Sequence, residues 1–373
     1  MENKHTKNIG IISFSIHSHP YNYGAALHSF AFYKYLKTIT KCNVYIINYY
    51  SKQVESKSFY KKYIKGLLTC NIYRTIFNYK NTKNYLTKRK YFIDFFNKNC
   101  KITTKEYSEK NLSDLRNIDQ YICETDVTWT THKGRYDRGF MCDFPNMKGK
   151  PNIAYSIDFG TADIISKEQL INYAKNFKNI SIRNIFKLEY IKNLLNRNDI
   201  CVTIDPVFLV DKKEYDNLIP NDCKYKNYVL LYHCQEYNDK MVKSAKEFAK
   251  SKNLELITIN SFSSMTKSIL NDNPTPYKIE EFLNLIKNAN YIYTNSYHGI
   301  CFAIIFQREF LAFTRDGNNE KILTILTLSG LTNHLYANNP LIENTNWEMV
   351  VNRLNPIINY SKEVLKSSII QID

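Results

Sequence analysis

Short β-branched stretches alternate along the chain with longer segments in which apolar residues recur at helical spacing. This alternation is typical of parallel sheets joined by crossover helices, so the pattern predicts an α/β fold. The predicted strands of the first half are Ile9–Phe14, Val44–Asn48, Gln120–Cys123, Asn152–Ser156, Ile180–Arg183 and Val202–Ile204. The predicted strands of the second half are Tyr228–His233, Leu254–Ile259, Tyr291–Thr294 and Phe310–Phe313.

A polar stretch separates these two sets of strands and predicts a domain boundary. Residues 211–227 contain few apolar side chains and include Pro220. A length of 373 residues also suits two cores better than one. We therefore predict an N-terminal α/β domain at 1–210 and a C-terminal α/β domain at 211–373 that ends in terminal helices. Two Rossmann-like domains of this kind would face each other across a cleft, with ligands at the carboxyl ends of the strands.

Positive charge is concentrated in one segment of the predicted first domain. The whole chain carries a formal charge of +16, and residues 51–110 contain fifteen Lys and Arg against four Asp and Glu. Aromatic residues alternate with these cations. The segment fits a basic helical insertion with aromatics in the core and lysines in solvent, an anionic membrane surface, or a nucleic acid. No recognised RNA or DNA module accompanies it, so we do not expect a nucleic-acid partner.

Several protein classes are excluded by motifs that the sequence lacks. The nine cysteines are scattered without C-x-x-C spacing, which argues against zinc ribbons and redox dithiols. The glycines form no nucleotide-binding loop, and no apolar run approaches the roughly 18 residues of a transmembrane helix. The N-terminus has no signal-peptide pattern, so we expect a cytoplasmic location. His17-x-His19 has no nearby acid or thiol to complete a metal site, and no metal is expected.

Two strand-to-helix junctions are the main candidates for chemistry. Residues 22–28 (Asn-Tyr-Gly-Ala-Ala-Leu-His) open a helix near the first strand, with Asn22 and Gly24 at its start. Residues 294–299 (Thr-Asn-Ser-Tyr-His-Gly) follow a later strand and include Ser296, His298 and Gly299. Amides at a helix start attract anions, and a histidine there can bind phosphate or transfer a proton. A tight helix start that only packs on the sheet is an alternative for the first junction.

Five further side chains extend these candidates. Arg183 directly follows a predicted strand, and a guanidinium can bind a carboxylate or phosphate through two nitrogens. Arg315 and Lys321 flank the last predicted strand and the next helix, where either adds positive charge. Asp126 and Trp129 follow the third predicted strand and could position a sugar hydroxyl and a sugar ring face.

Taken in order, these motifs resemble those of the polysaccharide pyruvyl transferase family. Residues 22–32 look like its N-Y-G-A-x-L-Q-x-Y-A-L helix start, and residues 124–129 (Glu-Thr-Asp-Val-Thr-Trp) resemble its G-S-D-Q-x-W motif. Residues 136–140 and 152–156, the S-x-R-x-like run at 181–184, and the Asp-Pro at 205–206 are similar to its following motifs. Residues 294–299 resemble its T-D-S-F-H-G or T-x-R-L-H-G. The resemblance covers nearly the whole chain.

The resemblance implies a GT-B-like two-domain fold and an enzyme of capsule, lipopolysaccharide or exopolysaccharide synthesis. Members of such a family transfer pyruvate from phosphoenolpyruvate to a pair of sugar hydroxyls as a ketal, without a cofactor. His298 would then act on the donor, as phosphate ligand or as the acid that protonates the enol carbon. Arg183 would grip the donor's carboxylate or phosphate. The acceptor would be a sugar or a lipid-linked oligosaccharide at the inner face of the plasma membrane, which gives the basic segment a purpose.

Three positions depart from the family pattern and keep two alternatives open. Glu124 replaces Gly, Val127 replaces Gln, and Ser296 stands where many members carry Arg. A missing Arg would remove a charge-assisted contact of about 1.5–3 kcal/mol unless Arg315 or Lys321 substitutes. One alternative is a glycosyltransferase that uses a nucleotide-sugar donor on the same scaffold. The other is a non-catalytic protein of envelope assembly.

Overall fold

The architecture comes from a computed structural model, which describes residues 6–18, 21–51, 72–132, 134–160, 166–220, 222, 224–262, 276–315, 319–336 and 344–371. Its strands in chain order are β1 (Asn8–Ile12), β2 (Asn43–Ile46), β3 (Gln120–Asp126), β4 (Thr131–His132), β5 (Arg135–Tyr136), β6 (Ile153–Ile157), β7 (Asn179–Ile182), β8 (Cys201–Val202), β9 (Tyr228–Gln235), β10 (Glu255–Phe262), β11 (Tyr291–Thr294) and β12 (Phe310–Ala312).

The helices surround these strands on both faces. In chain order they are α1 (Tyr23–Ile39), α2 (Ile72–Asn99), α3 (Lys167–Ala174), α4 (Leu188–Leu195), α5 (Lys212–Asp216), α6 (Asp239–Ser251), α7 (Ile279–Asn288), α8 (Tyr297–Ile305), α9 (Glu320–Ser329) and α10 (Trp347–Ser368). None of the helices within the described ranges is long and apolar enough to cross a bilayer.

Two all-parallel sheets form the framework. The first has the spatial order β2-β1-β3-β6-β7-β8 and the second the order β10-β9-β11-β12. The α/β class with two parallel sheets is confirmed, and all ten predicted strands are present with ends shifted by a few residues. The short antiparallel pair β4–β5 was not expected from the pattern. The domain boundary between 210 and 211 stays a prediction.

The two halves share apolar packing. One continuous cluster of buried residues runs from the first sheet through α1 to α7, α8 and the second sheet, while separate clusters cover the opposite faces of both sheets. Within the shared cluster the rings of Tyr23 and Phe282 stack with centroids 4.4 Å apart. Because apolar burial contributes roughly 25 cal/mol per Å², this shared core holds α1 against the second half.

The terminal helix α10 returns to the first sheet. Gln120 at the start of β3 donates from its side-chain amide to the carbonyl of Ser368, at 2.9 Å. The backbone N–H of Ile204 donates to the hydroxyl of Ser361, at 2.8 Å. The last elements of the chain therefore brace the first half, as well as following the second in sequence.

The described part of the basic segment is largely one long helix, α2. Phe92, Phe95 and Phe96 on this helix are buried in the shared cluster, whereas Lys83 and Lys90 are exposed. This distribution agrees with the packing interpretation of those aromatic residues. Residues 52–71 of the segment lie outside the described residues, and contact with a membrane stays a prediction.

Candidate active site

The candidate site lies where the direction of chain winding reverses in each sheet. In the first sheet β2 lies on one side of β1 and β3 on the other; in the second, β10 and β11 flank β9 in the same way. Adjacent strand ends diverge at such a point, which leaves a crevice outside their carboxyl ends. Asp126 ends β3, and Ser296 follows β11. The topology therefore places Asp126 and Ser296 at the crevices where ligands of such sheets bind.

The two predicted junctions meet through the starts of α1 and α8. Gly24, in the first turn of α1, lies against the imidazole of His298, in the first turn of α8. A Cβ added to Gly24 would lie 2.1 Å from Nδ1 of His298, far inside any real contact distance. Glycine is therefore the residue that lets the two helix starts approach and that fixes the imidazole from one side.

We expect Gly24→Ala to destabilise the protein by about 1–3 kcal/mol through this overlap, although alanine favours a helix more than glycine does. Urea unfolding of Gly24→Ala in the wild-type and His298→Ala backgrounds checks the cause. Without the imidazole the methyl group has room, so the destabilisation should largely vanish in the double variant. An equal loss in both backgrounds would contradict the contact.

Arg183 forms the centre of a buried charge cluster. Its guanidinium donates to Oδ2 of Asp205 at 2.7 Å and to Oδ2 of Asp158 at 2.6 Å, and it lies 3.6 Å from Oδ1 of Asp126. Its carbon Cζ lies 4.5 Å from the ring centroid of Tyr297. The side chain is 2% exposed. Both terminal nitrogens therefore bind carboxylates of the first half, while the flat face packs on a residue of the second half.

Asp126 occupies an unusual backbone conformation. Its φ of 64° and ψ of −173° fall in a region that is almost restricted to glycine. Burial alone would raise the pKa of its carboxyl, but the positive charges of Lys321 and Arg183 lower that pKa to about 2. A strained residue held as an anion among cations is a feature of functional sites.

His298 lies between the two halves, with Nε2 3.5 Å from Oδ2 of Asp205. Burial lowers the pKa of this histidine, and the nearby Asp205 carboxylate offsets only part of that effect. Burial acts on Asp205 in the opposite sense, but His298 and Arg183 hold its pKa below the ordinary value. The pair is thus an imidazole beside a carboxylate, an arrangement equipped to accept and stabilise a proton.

Lys321 and Arg315 bring positive charge from the second half. Both side chains are buried, at 9% and 6% exposure. Burial lowers the pKa of Lys321 and the charge of Arg315 lowers it further, whereas Asp158 and Asp126 act in the opposite direction. Lys321 therefore lies within electrostatic reach of the carboxylates of the first half and of the guanidinium of Arg315.

A second buried pair lies beside His298. Nδ1 of His28 donates to Oε1 of Glu124 at 2.7 Å, and the hydroxyl of Ser29 donates to Oε2 at 2.9 Å. The rings of His28 and His298 stack with centroids 5.6 Å apart. Burial lowers the pKa of His28, but the contact with Glu124 raises it by more, so that the net shift is upward. Two neighbouring histidines thus have opposite tendencies to hold a proton.

Four predicted ligand residues have structural contacts instead of free polar groups. Asn22 caps α1 by accepting from the N–H of Gly24, and Ser296 caps α8 by accepting from the N–H of Gly299. A Cβ on Gly299 would lie 2.7 Å from Oγ1 of Thr294, so this glycine permits packing on the sheet. The ring of Trp129 is in the core against Phe159 and Phe177, which leaves no ring face for a sugar.

The sequence interpretation missed three members of the site. Asp158 follows β6 directly, and Asp205 is the third residue after β8. The rule that selected Arg183, a polar residue just beyond a strand, would also have found these two carboxylates. His28 had no comparable signal, since it lies inside α1 and its role depends on a partner 96 residues away. Within the described ranges, no group of three or more His, Cys, Asp and Glu is arranged to hold a metal ion.

The chain matches a family model described as polysaccharide pyruvyl transferase over residues 22–317. No curated protein shows a significant sequence match.

Solved structures with a similar fold come from several bacteria. A functionally uncharacterised protein from Klebsiella pneumoniae is 14% identical over 66% of this chain and 85% of that chain, with a TM-score of 0.37. UDP-N-acetylglucosamine 2-epimerases are also similar: that of Rickettsia bellii is 11% identical over 98% of this chain and 99% of its own, with a TM-score of 0.45. That of Neisseria meningitidis, bound to UDP-GlcNAc, is 11% identical over 98% and 95%, with a TM-score of 0.44.

Proposed function

This chain belongs to the polysaccharide pyruvyl transferase family, and from that membership we propose that it transfers pyruvate from phosphoenolpyruvate to two hydroxyls of a surface-glycan sugar. The observation that carries the proposal is the contact of His298 with Asp205, with Lys321 and Arg315 buried on the side of the second half. An acid–base group next to cations suits a donor that carries a phosphate and a carboxylate and reacts by proton transfer.

Proton balance supports a role for His298 on both substrates. Ketal formation joins two hydroxyl oxygens to C2 of the donor, breaks the bond from C2 to the phosphate oxygen, and turns the methylene carbon into a methyl group. Two hydroxyl protons are released; one ends on the methyl carbon and the other on the departing phosphate. A neutral imidazole can take the proton of an attacking hydroxyl, and the resulting imidazolium, stabilised by Asp205, can return it to the donor.

We assign the donor's negative groups to Lys321 and Arg315. Arg183 was predicted to grip the donor, but its terminal nitrogens already bind Asp158 and Asp205. Its proposed role is therefore to position those carboxylates. Each charge-assisted contact from Lys321 or Arg315 to the donor would be worth about 1.5–3 kcal/mol, which offsets the serine at 296. Asp126 would orient an acceptor hydroxyl, for which an ionised carboxylate is a suitable acceptor.

The acceptor is proposed to be a sugar or a polyprenyl-diphosphate-linked oligosaccharide at the inner membrane face. The support is the positive charge of residues 51–110, which suits anionic lipid. Exposed lysines of α2 such as Lys83 and Lys90 would face that surface.

Thermal unfolding in the presence of candidate donors tests the function. Phosphoenolpyruvate at about 100 times its dissociation constant should add ~2.7 kcal/mol of stability, which is a clear rise in melting temperature. Lys321→Met and His298→Ala should lose most of this rise because they remove the proposed donor contacts. Lys366→Met should keep it, since this lysine is exposed on α10.

The same experiment includes UDP-, GDP-, CMP- and dTDP-sugars. Stabilisation by one of these and none by phosphoenolpyruvate would overturn the proposal in favour of glycosyl transfer. Stabilisation by none of the donors would favour a non-catalytic protein of envelope assembly.

A further inference from the structure

Lys88 occupies a core position on α2. Buried residues of this helix recur at helical spacing through Phe92, Phe95 and Phe96, and Lys88 lies one turn before Phe92 on the same stripe. Its side chain is 8% exposed. An apolar residue would be expected here, because an ammonium group loses its hydration on burial.

The surroundings of this ammonium compensate its charge only weakly. Nζ lies 4.2 Å from the ring centroid of Tyr23 and 5.9 Å from that of Phe92. Among the residues that the structure describes, no carboxylate forms an ion pair with it. Burial lowers the pKa of Lys88 to about 7, and Cys234 of β9 acts in the opposite direction. Cation–π contacts of this kind contribute about 0.5–2 kcal/mol, which is less than a bound anion would.

Lys88 is also placed at the candidate site. The ammonium group of Lys88 lies over the ring of Tyr23. Tyr23 directly precedes Gly24, and Gly24 lies against His298. Cys234 lies near the carboxyl end of β9 in the second sheet. Its backbone N–H donates to the side-chain oxygen of Asn295 at 2.7 Å.

A buried tyrosine connects this position to the proposed donor cations. Tyr232 lies on β9 two residues before Cys234, and its hydroxyl is buried. Burial and Cys234 raise the pKa of this tyrosine, whereas Ser296 and the charge of Arg315 lower it. Tyr232 therefore lies close to Ser296 and within electrostatic reach of Cys234, Tyr23 and Arg315, which places Lys88 and Arg315 on either side of the same tyrosine.

We propose that Lys88 is a phosphate-binding residue of this site, brought to the carboxyl edge of the second sheet by the helix of the basic segment. The inference rests on the proposed function for the identity of the ligand. The phosphate is either that of the phosphoenolpyruvate donor or the diphosphate of a lipid-linked acceptor. Both present the doubly charged oxygen group that a buried, unpaired ammonium attracts.

Calorimetric titration with phosphoenolpyruvate and, separately, with inorganic diphosphate distinguishes these sources. Lys88→Met should weaken binding of the relevant anion by about 10-fold or more, while Lys88→Arg, which keeps the charge, should stay within about 3-fold of wild type. Lys90→Met is the matched control, since it removes the same charge from the exposed face of the same helix. Thermal unfolding should show Lys88→Met to be at least as stable as wild type, because methionine replaces a buried charge.

Proton uptake gives a second readout. At about pH 8 the free Lys88 is mostly neutral, so an anion that binds it should draw one proton from the buffer, and the measured heat should vary with the buffer's ionisation enthalpy. Lys88→Arg should bind without this uptake.

The possible failures are distinguishable. If phosphoenolpyruvate binds wild type and Lys88→Met equally and diphosphate binds neither, the role of Lys88 is overturned and the donor assignment stands. If only diphosphate binds, and binding requires Lys88, the donor assignment fails and Lys88 is an acceptor ligand. Loss of turnover in Lys88→Arg with unchanged binding would overturn the proposal in favour of a proton-transferring lysine.

Discussion

Arg183→Met should destabilise the protein by about 3–5 kcal/mol at neutral pH, which is the size of effect seen when one partner of a buried ion pair is removed. Its guanidinium holds Asp158 and Asp205 by short hydrogen bonds and lies near Asp126. Methionine fills a similar volume but leaves three buried carboxylates without their central cation. Urea unfolding of the purified variant measures the loss.

The pH dependence identifies the cause. Burial raises the pKa of Asp158 and Asp126, but Arg183 and Lys321 bring both below their ordinary values. A lowered carboxyl pKa contributes stability that is present above about pH 4 and is lost as pH falls through the folded-state value. Without Arg183 these carboxyls should take up protons at higher pH. The difference in stability between Arg183→Met and wild type should therefore shrink as the pH is lowered from about 7 to 5.

A rescue and a control make this prediction specific. Asp158→Asn in the Arg183→Met background removes one unpaired charge and should recover part of the stability. Lys105→Met removes one partner of an ion pair that is exposed on both sides, Lys105 with Asp114 at 3.0 Å, and should cost at most about 1 kcal/mol. Equal losses for Arg183→Met and Lys105→Met would contradict a central role for the buried guanidinium.

The fold could be predicted because its signals are local. A run such as Tyr228–His233 is a strand by composition alone, and the helix start at Asn22 is marked by a side chain that caps the next turn. Each junction lies at the carboxyl end of a strand, as the pattern predicted, because the strands of a parallel sheet end on the same edge. The contact between the two junctions depends on packing between the two sheets, which the pattern does not show.

The pairing within the charge cluster could not be predicted, although its members follow strands, because it depends on contacts between distant segments. Arg183 was identified as a cation that could grip a ligand, yet its partner Asp205 lies 22 residues away and Asp158 lies 25 residues away on the other side. Likewise Trp129 looked like a sugar platform because it follows Asp126, but a short 3-10 turn directs its ring into the core. Lys88 could not be separated from fourteen other cations of residues 51–110, since only packing shows which face of α2 it occupies.

Glu124 shows why departures from a family pattern are best interpreted in pairs. It stands where the motif has glycine, and its partner His28 stands where the helix-start motif has glutamine. The structure joins the two at 2.7 Å in a fully buried contact. The two unusual residues therefore explain each other, which neither motif shows alone.

His28→Leu should destabilise the protein by about 3–5 kcal/mol near pH 7, because it leaves a buried carboxylate with only the hydroxyl of Ser29 as donor. Glu124→Leu should cost less, about 1–2 kcal/mol, since the remaining imidazole can lose its proton close to its ordinary pKa of about 6.5. The double variant should be more stable than His28→Leu alone, because an apolar pair leaves no unpaired charge. Urea unfolding of all four proteins gives the coupling energy, and additive losses would contradict the pair.

The sign of the pH effect distinguishes this pair from ordinary packing. Burial lowers the pKa of His28 but Glu124 raises it above its ordinary value, so the stabilisation is complete below about pH 6.5 and is lost as pH rises through the folded-state value. In Glu124→Leu burial still lowers the pKa of the imidazole, and only the carboxylates of Asp126 and Asp205 oppose it, so folding favours the charged form less than in wild type. The stability difference between Glu124→Leu and wild type should accordingly be larger at about pH 5.5 than at about pH 8.5. A difference that does not change over this range would mean that His28 is neutral beside Glu124 and that the contact is only a hydrogen bond.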